Sequence, residues 1–315
     1  MRTIDTDYLD KDESKDWEMD GSPDAGPSSG TDNPLSATTS FLTASHVLVA
    51  LLVTIVIVLN IIFFRLVSVL SRPAPSSRPQ PSPSNPTHIL IVLGSGGHTA
   101  EMLNILSQAP CLQLDFTYRT YVVSSGDAFS ALKAHEFEKS LLADLSSTPG
   151  ITVPDDTSTN YDVVTVPRAR RVHQSILTAP WTSLKCLLDC IDVLKGRHRD
   201  LKTPKRRQRG YPDLIMTNGP GTGVIVVIAS VILLFFGCSG PRQRQGEGEK
   251  GPHQANSFAH GGQMRTIFIE SFARVKTLSL SGRLLKPLVH RFIVQWPDLA
   301  KSQNNNAEYI GLLVT

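Results

Sequence analysis

The chain has 315 residues, and its formal net charge of +3 comes from 31 basic and 28 acidic side chains. The four cysteines, Cys111, Cys186, Cys190 and Cys238, lack the paired spacing of a metal site, which argues against a zinc module and fits a reducing compartment. The charge is uneven, because residues 1–40 carry ten acidic and three basic side chains. This segment has little apolar periodicity, so we predict a disordered acidic tail.

Residues 47–64 form an apolar run that only Thr54 and Asn60 interrupt. A helix of this length reaches about 27 Å, close to the thickness of the hydrocarbon core of a bilayer. A cleaved signal peptide fits poorly, because a long polar segment precedes the run and no small-residue cleavage pattern follows it. We predict a transmembrane anchor at 41–70, with the acidic tail in the lumen or exterior. The rest of the chain is placed in the cytosol by the arginines that follow the run, Arg65, Arg72 and Arg78.

A spacer rich in Pro and Ser, residues 71–86, separates the anchor from a region in which strand and helix patterns alternate. Short apolar runs predict strands at 88–93, 118–124, 161–166, 213–217, 265–270 and 292–295. Helical patterns lie at 97–107, 127–143, 175–195 and 223–236. This alternation predicts one α/β domain at 87–315, a Rossmann-like doubly wound parallel sheet covered on both faces.

Three stretches break the alternation and are predicted to be surface insertions, at about 143–160, 196–210 and 238–264. The second is strongly basic, and it either binds anionic lipid headgroups or is simply solvated. The apolar run at 224–236 is too short to span a bilayer, so we predict a buried or membrane-grazing helix of the domain.

The first predicted strand ends in the sequence Gly-Ser-Gly-Gly-His at residues 94–98, and a helix pattern follows. Glycines allow close backbone approach, and the amides at a helix N-terminus favour an anion. We predict a phosphate or diphosphate site, and no metal. The first acid after the second strand is Asp127, too late to hold a ribose, and no Gly-Lys-Ser/Thr is present, so no nucleotide cofactor is expected. The contact residues predicted in this loop are Gly94, Ser95, Gly96, Gly97 and Thr99.

His98 is the titratable group of this loop that can act near neutral pH. It either donates to a phosphate oxygen or takes a proton from an attacking hydroxyl, and the alternative is that it only caps the helix. Glu101 follows three positions later, at the spacing of a capping box, and we predict that structural role for it.

A second strand, glycine turn and helix pattern occupies residues 213–223. The carboxyl ends of parallel strands lie on one edge of a sheet, where ligands bind in open α/β folds, so both glycine turns are predicted to share one site. Two arginines after the third strand and a glutamate after the fifth lie at the same predicted edge. The further contact residues predicted here are Asn218, Gly219, Gly221, Thr222, Arg168, Arg171 and Glu270.

These motifs resemble a known family. The strings VLGSGGHTAEM, VPRARRVHQS, PDLIMTNGPGTG, IFIESFARVKTLSLSG and FIVQWPDL are similar, in the same order, to the membrane-anchoring subunits of the UDP-N-acetylglucosamine transferase of asparagine-linked glycosylation. The resemblance covers residues 87–315 apart from the insertions. The loop at 94–98 is also similar to the acceptor-diphosphate loop of the bacterial transferase that glycosylates the lipid-linked peptidoglycan precursor.

The resemblance implies the N-terminal, acceptor-binding half of a split GT-B glycosyltransferase. It implies that a soluble partner subunit supplies the donor-binding half, at the cytosolic face of the endoplasmic reticulum membrane. The implied reaction adds the second N-acetylglucosamine to dolichyl-diphosphate N-acetylglucosamine, and no nucleic acid partner is expected. The implied enzyme is an N-acetylglucosaminyldiphosphodolichol N-acetylglucosaminyltransferase, inactive without its partner. The resemblance also implies that the C-terminal residues 309–314 contribute to partner docking, and the alternative is that they form the last strand of the sheet.

One departure from the family pattern is at Gly223, which Val and Ile follow where the family usually has Cys-Val-Pro, so the start of that helix is in doubt. Two alternatives to a split transferase remain. The chain is either a self-sufficient membrane-bound nucleotide-dependent enzyme, against which the missing ribose acid argues, or a scaffold that only recruits a partner.

Overall fold

The computed structural model describes residues 34–72, 87–109, 112–147, 160–170, 174, 178–202, 211–219, 221–238, 262–302 and 307–313. The predictions for the tail up to residue 33, for the spacer from 73 to 86 and for Arg171 lie outside the described residues. So do the central parts of the three predicted insertions, at 148–159, 203–210 and 239–261. The chain divides into two compact units, residues 1–59 and residues 60–315.

Helix α1 (Pro34–Leu70) contains the predicted anchor. Among the described residues, His46–Leu70 is the one helical stretch long and apolar enough to cross a membrane. The helix starts at Pro34 rather than near residue 41. Proline is well tolerated at the start of a helix, and a helix that is already nucleated extends at little cost into neighbouring Ser, Thr and Ala residues.

The second unit is built on a seven-stranded parallel sheet with strand order β3-β2-β1-β4-β5-β6-β7. This confirms the predicted doubly wound α/β fold, and all six predicted strands begin and end within one residue of the prediction. The seventh strand, the short β7, overlaps the stretch 309–314, for which a last strand of the sheet was the alternative to partner docking. The strands are β1 (His88–Val92), β2 (Tyr118–Ser124), β3 (Tyr161–Val166), β4 (Leu214–Asn218), β5 (Arg265–Ile269), β6 (Arg291–Val294) and β7 (Glu308–Tyr309).

Helices connect these strands, and the apolar run at 224–236 forms α6 rather than a second span. Helix α4 continues to Ser147, so the predicted insertion at 143–160 begins no earlier than residue 148. Partly buried Leu141 packs against the core there, which favours continuing the helix. The helices of the domain are α2 (Gly97–Ser107), α3 (Leu112–Asp115), α4 (Ala128–Ser147), α5 (Ala179–Leu194), α6 (Thr222–Phe235), α7 (Leu280–Leu285) and α8 (Pro297–Ser302).

Strand β1 lies at the centre of the core, and all five of its residues are buried. Successive side chains of a strand point to opposite faces, so Ile89 and Ile91 pack with α2 and α4, whereas Leu90 and Val92 pack with α5 and α6. This two-sided burial explains why the sequence of β1 is continuously apolar rather than alternating.

The last turns of α1 belong to the second unit and pack into it. Val69 is buried in the cluster that contains α5 and α6. Arg65 donates from Nε to the carbonyl oxygen of Phe235, at 2.9 Å, where α6 ends. An arginine at this position satisfies a carbonyl that the end of the helix leaves free and complements the negative end of the helix dipole.

The direction of winding reverses between β1 and β4, which are neighbours in the sheet although β2 and β3 separate them in the chain. Each of these two strands leads at its carboxyl end into a glycine turn and a helix. In doubly wound folds this switch point is where a crevice opens and ligands bind.

Candidate functional site

The two glycine turns meet at the imidazole of His98. A Cβ atom placed on Gly94 would lie 2.7 Å from His98 Cβ, and one placed on Gly219 would lie 2.9 Å from His98 Cγ. Neither distance is available to a real side chain, so both positions need glycine. Gly219 also has a φ of 82°, which an L residue adopts only with strain. The structure therefore brings the two glycine turns together at one edge of the sheet, around His98.

Both turns lead directly into helix N-termini. The residue before α2 is Gly96, with a φ of 61°, and the residue before α6 is Gly221, with a φ of 70°. Neither helix has a side chain that caps its first turn within the described part of the chain. The first amides of α2 and α6 thus remain available to an anion at the positive end of each helix dipole.

Asn218, the last residue of β4, joins the two turns. Its side chain donates from Nδ2 to the carbonyl oxygen of His98 at 2.9 Å, and the residue is 1% exposed. Asn218 therefore fixes the start of α2 against the end of β4. It shapes the predicted site, although its own side chain is enclosed by protein.

Three of the predicted contact residues use their side chains for internal hydrogen bonds. Thr99 is fully buried, and its hydroxyl contacts the carbonyl oxygen of Gly94 and lies 2.7 Å from Ser130 Oγ. The Thr222 hydroxyl lies 2.7 Å from Ser124 Oγ. Arg168 donates from Nε to the carbonyl oxygen of Ser125 at 2.8 Å. These contacts hold the loops of the sheet edge in place.

Glu270 is 1% exposed, and its carboxylate closes the loop that follows β5. Its Oε2 accepts from the backbone amide of Ser279 at 3.0 Å and from the Ser279 hydroxyl at 3.1 Å, while Oε1 accepts from the amide of Ser271 at 3.2 Å. A Cβ on Gly282 would come within 2.2 Å of the same carboxylate. Glu270 thus sets the shape of residues 271–279.

Glu101 does not cap α2, in contrast to the prediction from its spacing. Its Oε1 accepts from the backbone amide of Phe272 at 2.6 Å and from Gln295 Nε2 at 2.6 Å. Its Oε2 lies 3.5 Å from Asn218 Nδ2 and 3.6 Å from His98 Nδ1. The capping box fails because these distant donors hold the carboxylate on the side of α2 that faces the sheet edge.

The hydrogen bonds of Glu101 determine its charge state. Burial acts to raise the pKa of this carboxyl, but His98, the Phe272 amide and Gln295 stabilise the carboxylate, so that its pKa is lowered below the ordinary value. A negative charge therefore stands beside the His98 ring at neutral pH.

An open groove of about 480 Å³ lies along the N-terminal half of α2. Its far wall is the loop after β5, where the ring of Phe272 packs against Trp296 with centroids 5.2 Å apart. The His98 side chain is 29% exposed and contributes to the groove. The lining residues are Gly97, His98, Ala100, Glu101, Asn104, Ser271, Phe272 and Ala273. Phe272 and Gln295 lie in two of the motifs that resemble the family, but they were not predicted as site residues because a phenylalanine and a glutamine gave no chemical signal that singled them out.

The fold and the site define a class: an α/β protein with an N-terminal helix able to span a membrane, and a groove at the switch point of a doubly wound sheet. Comparison with known proteins narrows the class. The family model described as "Oligosaccharide biosynthesis protein Alg14 like" matches residues 89–313, and the chain belongs to this family.

Named relatives occur in fungi and mammals. The chain is 46% identical to the UDP-N-acetylglucosamine transferase subunit alg14 of Aspergillus fumigatus, over 63% of this chain and 93% of the relative. It is 36% identical to the subunit of the same name in Schizosaccharomyces pombe, over 72% of this chain and 83% of the relative. It is 30% identical to the UDP-N-acetylglucosamine transferase subunit ALG14 of Rattus norvegicus, over 74% of this chain and 86% of the relative. No solved structure matches the chain.

Proposed function

We propose that this chain is the membrane-anchoring, acceptor-binding subunit of a UDP-N-acetylglucosamine transferase. In this role it holds dolichyl-diphosphate N-acetylglucosamine at the endoplasmic reticulum membrane while a soluble, donor-binding partner subunit presents UDP-N-acetylglucosamine. The observation that carries the proposal is the pair of glycine turns that enclose His98 beside the groove. The names of the relatives support the transferase complex, and the site supports the acceptor side of it.

The diphosphate is assigned to the two helix N-termini. The amides of Gly97 and His98, which begin α2, lie where the helix dipole favours negative charge. Gly94, Ser95, Gly96 and Thr99 form the rest of this cradle, with Asn218, Gly219, Gly221 and Thr222 on the facing turn. Arg168 and Glu270 belong to the same edge of the sheet, and Arg171 is assigned to the site from its position in the sequence after β3. The sugar of the acceptor then occupies the groove toward Phe272.

The reaction forms a glycosidic bond between the acceptor 4-hydroxyl oxygen and C1 of the donor sugar. The bond between C1 and the phosphate oxygen of UDP breaks, and UDP leaves with the electron pair. The hydroxyl proton must pass to a base, and His98 is the group of this subunit placed to receive it. The chain needs no metal or cofactor of its own for this role.

The topology follows from the charges around the anchor. Arg65 and Arg72 follow the apolar run, and the domain to which they are hydrogen-bonded is placed in the cytosol. The acidic tail of residues 1–40 is then lumenal, the anchor occupies 41–70, and the spacer 71–86 and the domain 87–315 are cytosolic. Protease protection of tags at the two ends of the chain in sealed microsomes tests this arrangement.

The function is tested by sugar transfer from labelled UDP-N-acetylglucosamine to a polyprenyl-diphosphate N-acetylglucosamine, using full-length chain with and without the candidate partner subunit. We expect a disaccharide product only when both subunits are present. Product from this chain alone would instead support the self-sufficient enzyme. A complex that forms with His98→Gln and transfers sugar at the wild-type rate would leave only a scaffold role.

A further inference from the structure

The nitrogen atoms of the His98 ring have different surroundings. Nδ1 is buried and has no hydrogen-bond partner within the described part of the chain. The polar atom opposite it is Glu101 Oε2, at 3.6 Å. His98 lines the groove and its side chain is 29% exposed, so with Nδ1 buried, Nε2 is the ring nitrogen left for a ligand to meet.

Glu101 itself cannot rotate freely to meet or avoid His98. Two short hydrogen bonds to Oε1, from the Phe272 amide and from Gln295 Nε2, fix the plane of the carboxylate. Gln295 is fixed in turn, because its Nε2 also donates to the carbonyl oxygen of Glu270 at 3.1 Å, and its Oε1 accepts from the amide of Leu313 at 3.3 Å. Oε2 is therefore held toward Nδ1 by contacts from the segments that follow β5 and β6.

A carboxylate accepts hydrogen bonds and donates none, so an imidazole beside it carries its proton on the facing nitrogen. We propose that Glu101 is a positioning residue that keeps the proton of His98 on Nδ1 and so presents an unprotonated Nε2 to the acceptor hydroxyl in the groove. The neighbouring charge also stabilises the imidazolium that forms when Nε2 takes the proton. This inference rests on the proposed function and extends it to a residue that acts through His98.

The variant Glu101→Gln separates this role from a structural one. The amide oxygen of the new side chain must occupy the position of Oε1, because two donors meet there. Its NH₂ group then faces His98 Nδ1 and donates to it, which moves the ring proton to Nε2. The hydrogen bonds to Phe272 and Gln295 are kept, so the fold of the sheet edge is preserved while the tautomer of His98 is reversed.

We expect Glu101→Gln, assayed in the full complex, to lower kcat by about 10- to 100-fold with the acceptor KM unchanged, as is typical when the partner of an active histidine is lost. The matched control is Glu136→Gln, which makes the same substitution on α4, where the Glu136 side chain is 49% exposed and pairs with Lys133 at 2.7 Å. It should leave both kcat and the acceptor KM unchanged. A wild-type kcat for Glu101→Gln, or a loss confined to KM, would overturn the proposal.

A double-mutant cycle with His98→Gln shows whether Glu101 acts through His98. We expect Glu101→Gln to cause no further loss of kcat in the His98→Gln background, whereas full additivity of the two losses would contradict the proposal. The tautomer can also be measured in the wild-type complex, by nitrogen NMR of labelled histidine with the His98 signal assigned by its absence in His98→Gln. A proton on Nε2 would refute the inference. A wild-type complex without transfer activity would instead refute the proposed function and leave the tautomer measurement intact.

Discussion

Gly219 is the position at which the structure makes the strongest prediction about activity. Its φ is 82°, and an L residue in this left-handed region costs about 1–2 kcal/mol. A Cβ there would lie 2.9 Å from His98 Cγ and 3.0 Å from Cδ2. Carbon atoms pack best at about 3.5–4.0 Å, so Gly219→Ala must push the imidazole away by roughly 0.5–1 Å.

A shift of this size at a reacting group can lower the rate on the order of 100-fold. We therefore expect Gly219→Ala to lower the rate of sugar transfer by the reconstituted complex about 100-fold. The backbone strain should also lower the free energy of unfolding by about 1–2 kcal/mol. The assay is the initial rate at saturating substrates, with the melting temperature of each variant recorded alongside.

Gly237→Ala is the matched control. Gly237 has a φ of 76°, and its nearest contact for a new Cβ is Arg65, at an ordinary 3.7 Å. It carries the same backbone strain at the opposite end of α6 from the turn that contains Gly219 and Gly221, and it should lose stability without the loss of transfer. Equal rates of sugar transfer for the two variants would refute the reasoning that glycine is needed at position 219 to keep the His98 ring in place.

Two further predictions concern stability. Burial, with Arg265 and Arg72 nearby, lowers the pKa of His290 from 6.5 to about 4, so the folded state binds fewer protons than the unfolded state across that window. Stability should fall as the pH falls from 6.5 to 4, and His290→Asn should flatten the plot of melting temperature against pH; an unchanged slope would contradict this. The buried Arg119 guanidinium donates to Glu138 at 2.6 and 2.8 Å. Glu138→Gln leaves that charge uncompensated and should lower the free energy of unfolding, measured by chemical denaturation, by about 3–5 kcal/mol. A loss below about 1 kcal/mol would show that the pair is solvated.

The parts of the fold that follow from local patterns were predictable. Strand β1 and the helices after the two glycine turns were found because continuous apolar runs and glycine-rich breaks are local signals. The shared edge follows from the geometry of parallel sheets, so the sequence alone predicts that the two turns lie together. The short helices α3, α7 and α8 were missed because four to six residues show too little periodicity to recognise.

The hydrogen bonds of the site were not predictable in the same way. Glu101 has the spacing of a capping box, but its partners Phe272 and Gln295 lie 171 and 194 residues away in the chain. Thr99 has the composition of a ligand contact, yet its hydroxyl is buried among backbone and side-chain oxygens of the loop. Which polar groups face the ligand and which support the loops depends on long-range packing.

The central claim is that the acceptor binds in the groove beside His98 on this subunit. The most direct test is photo-crosslinking, in the full complex, of a polyprenyl-diphosphate N-acetylglucosamine that carries a diazirine on its sugar. Mass spectrometry of the labelled peptides should place the adduct at residues 97–104 or 271–273, and excess unlabelled acceptor should suppress it. An adduct found only on the partner subunit, or elsewhere on this chain, would contradict the account.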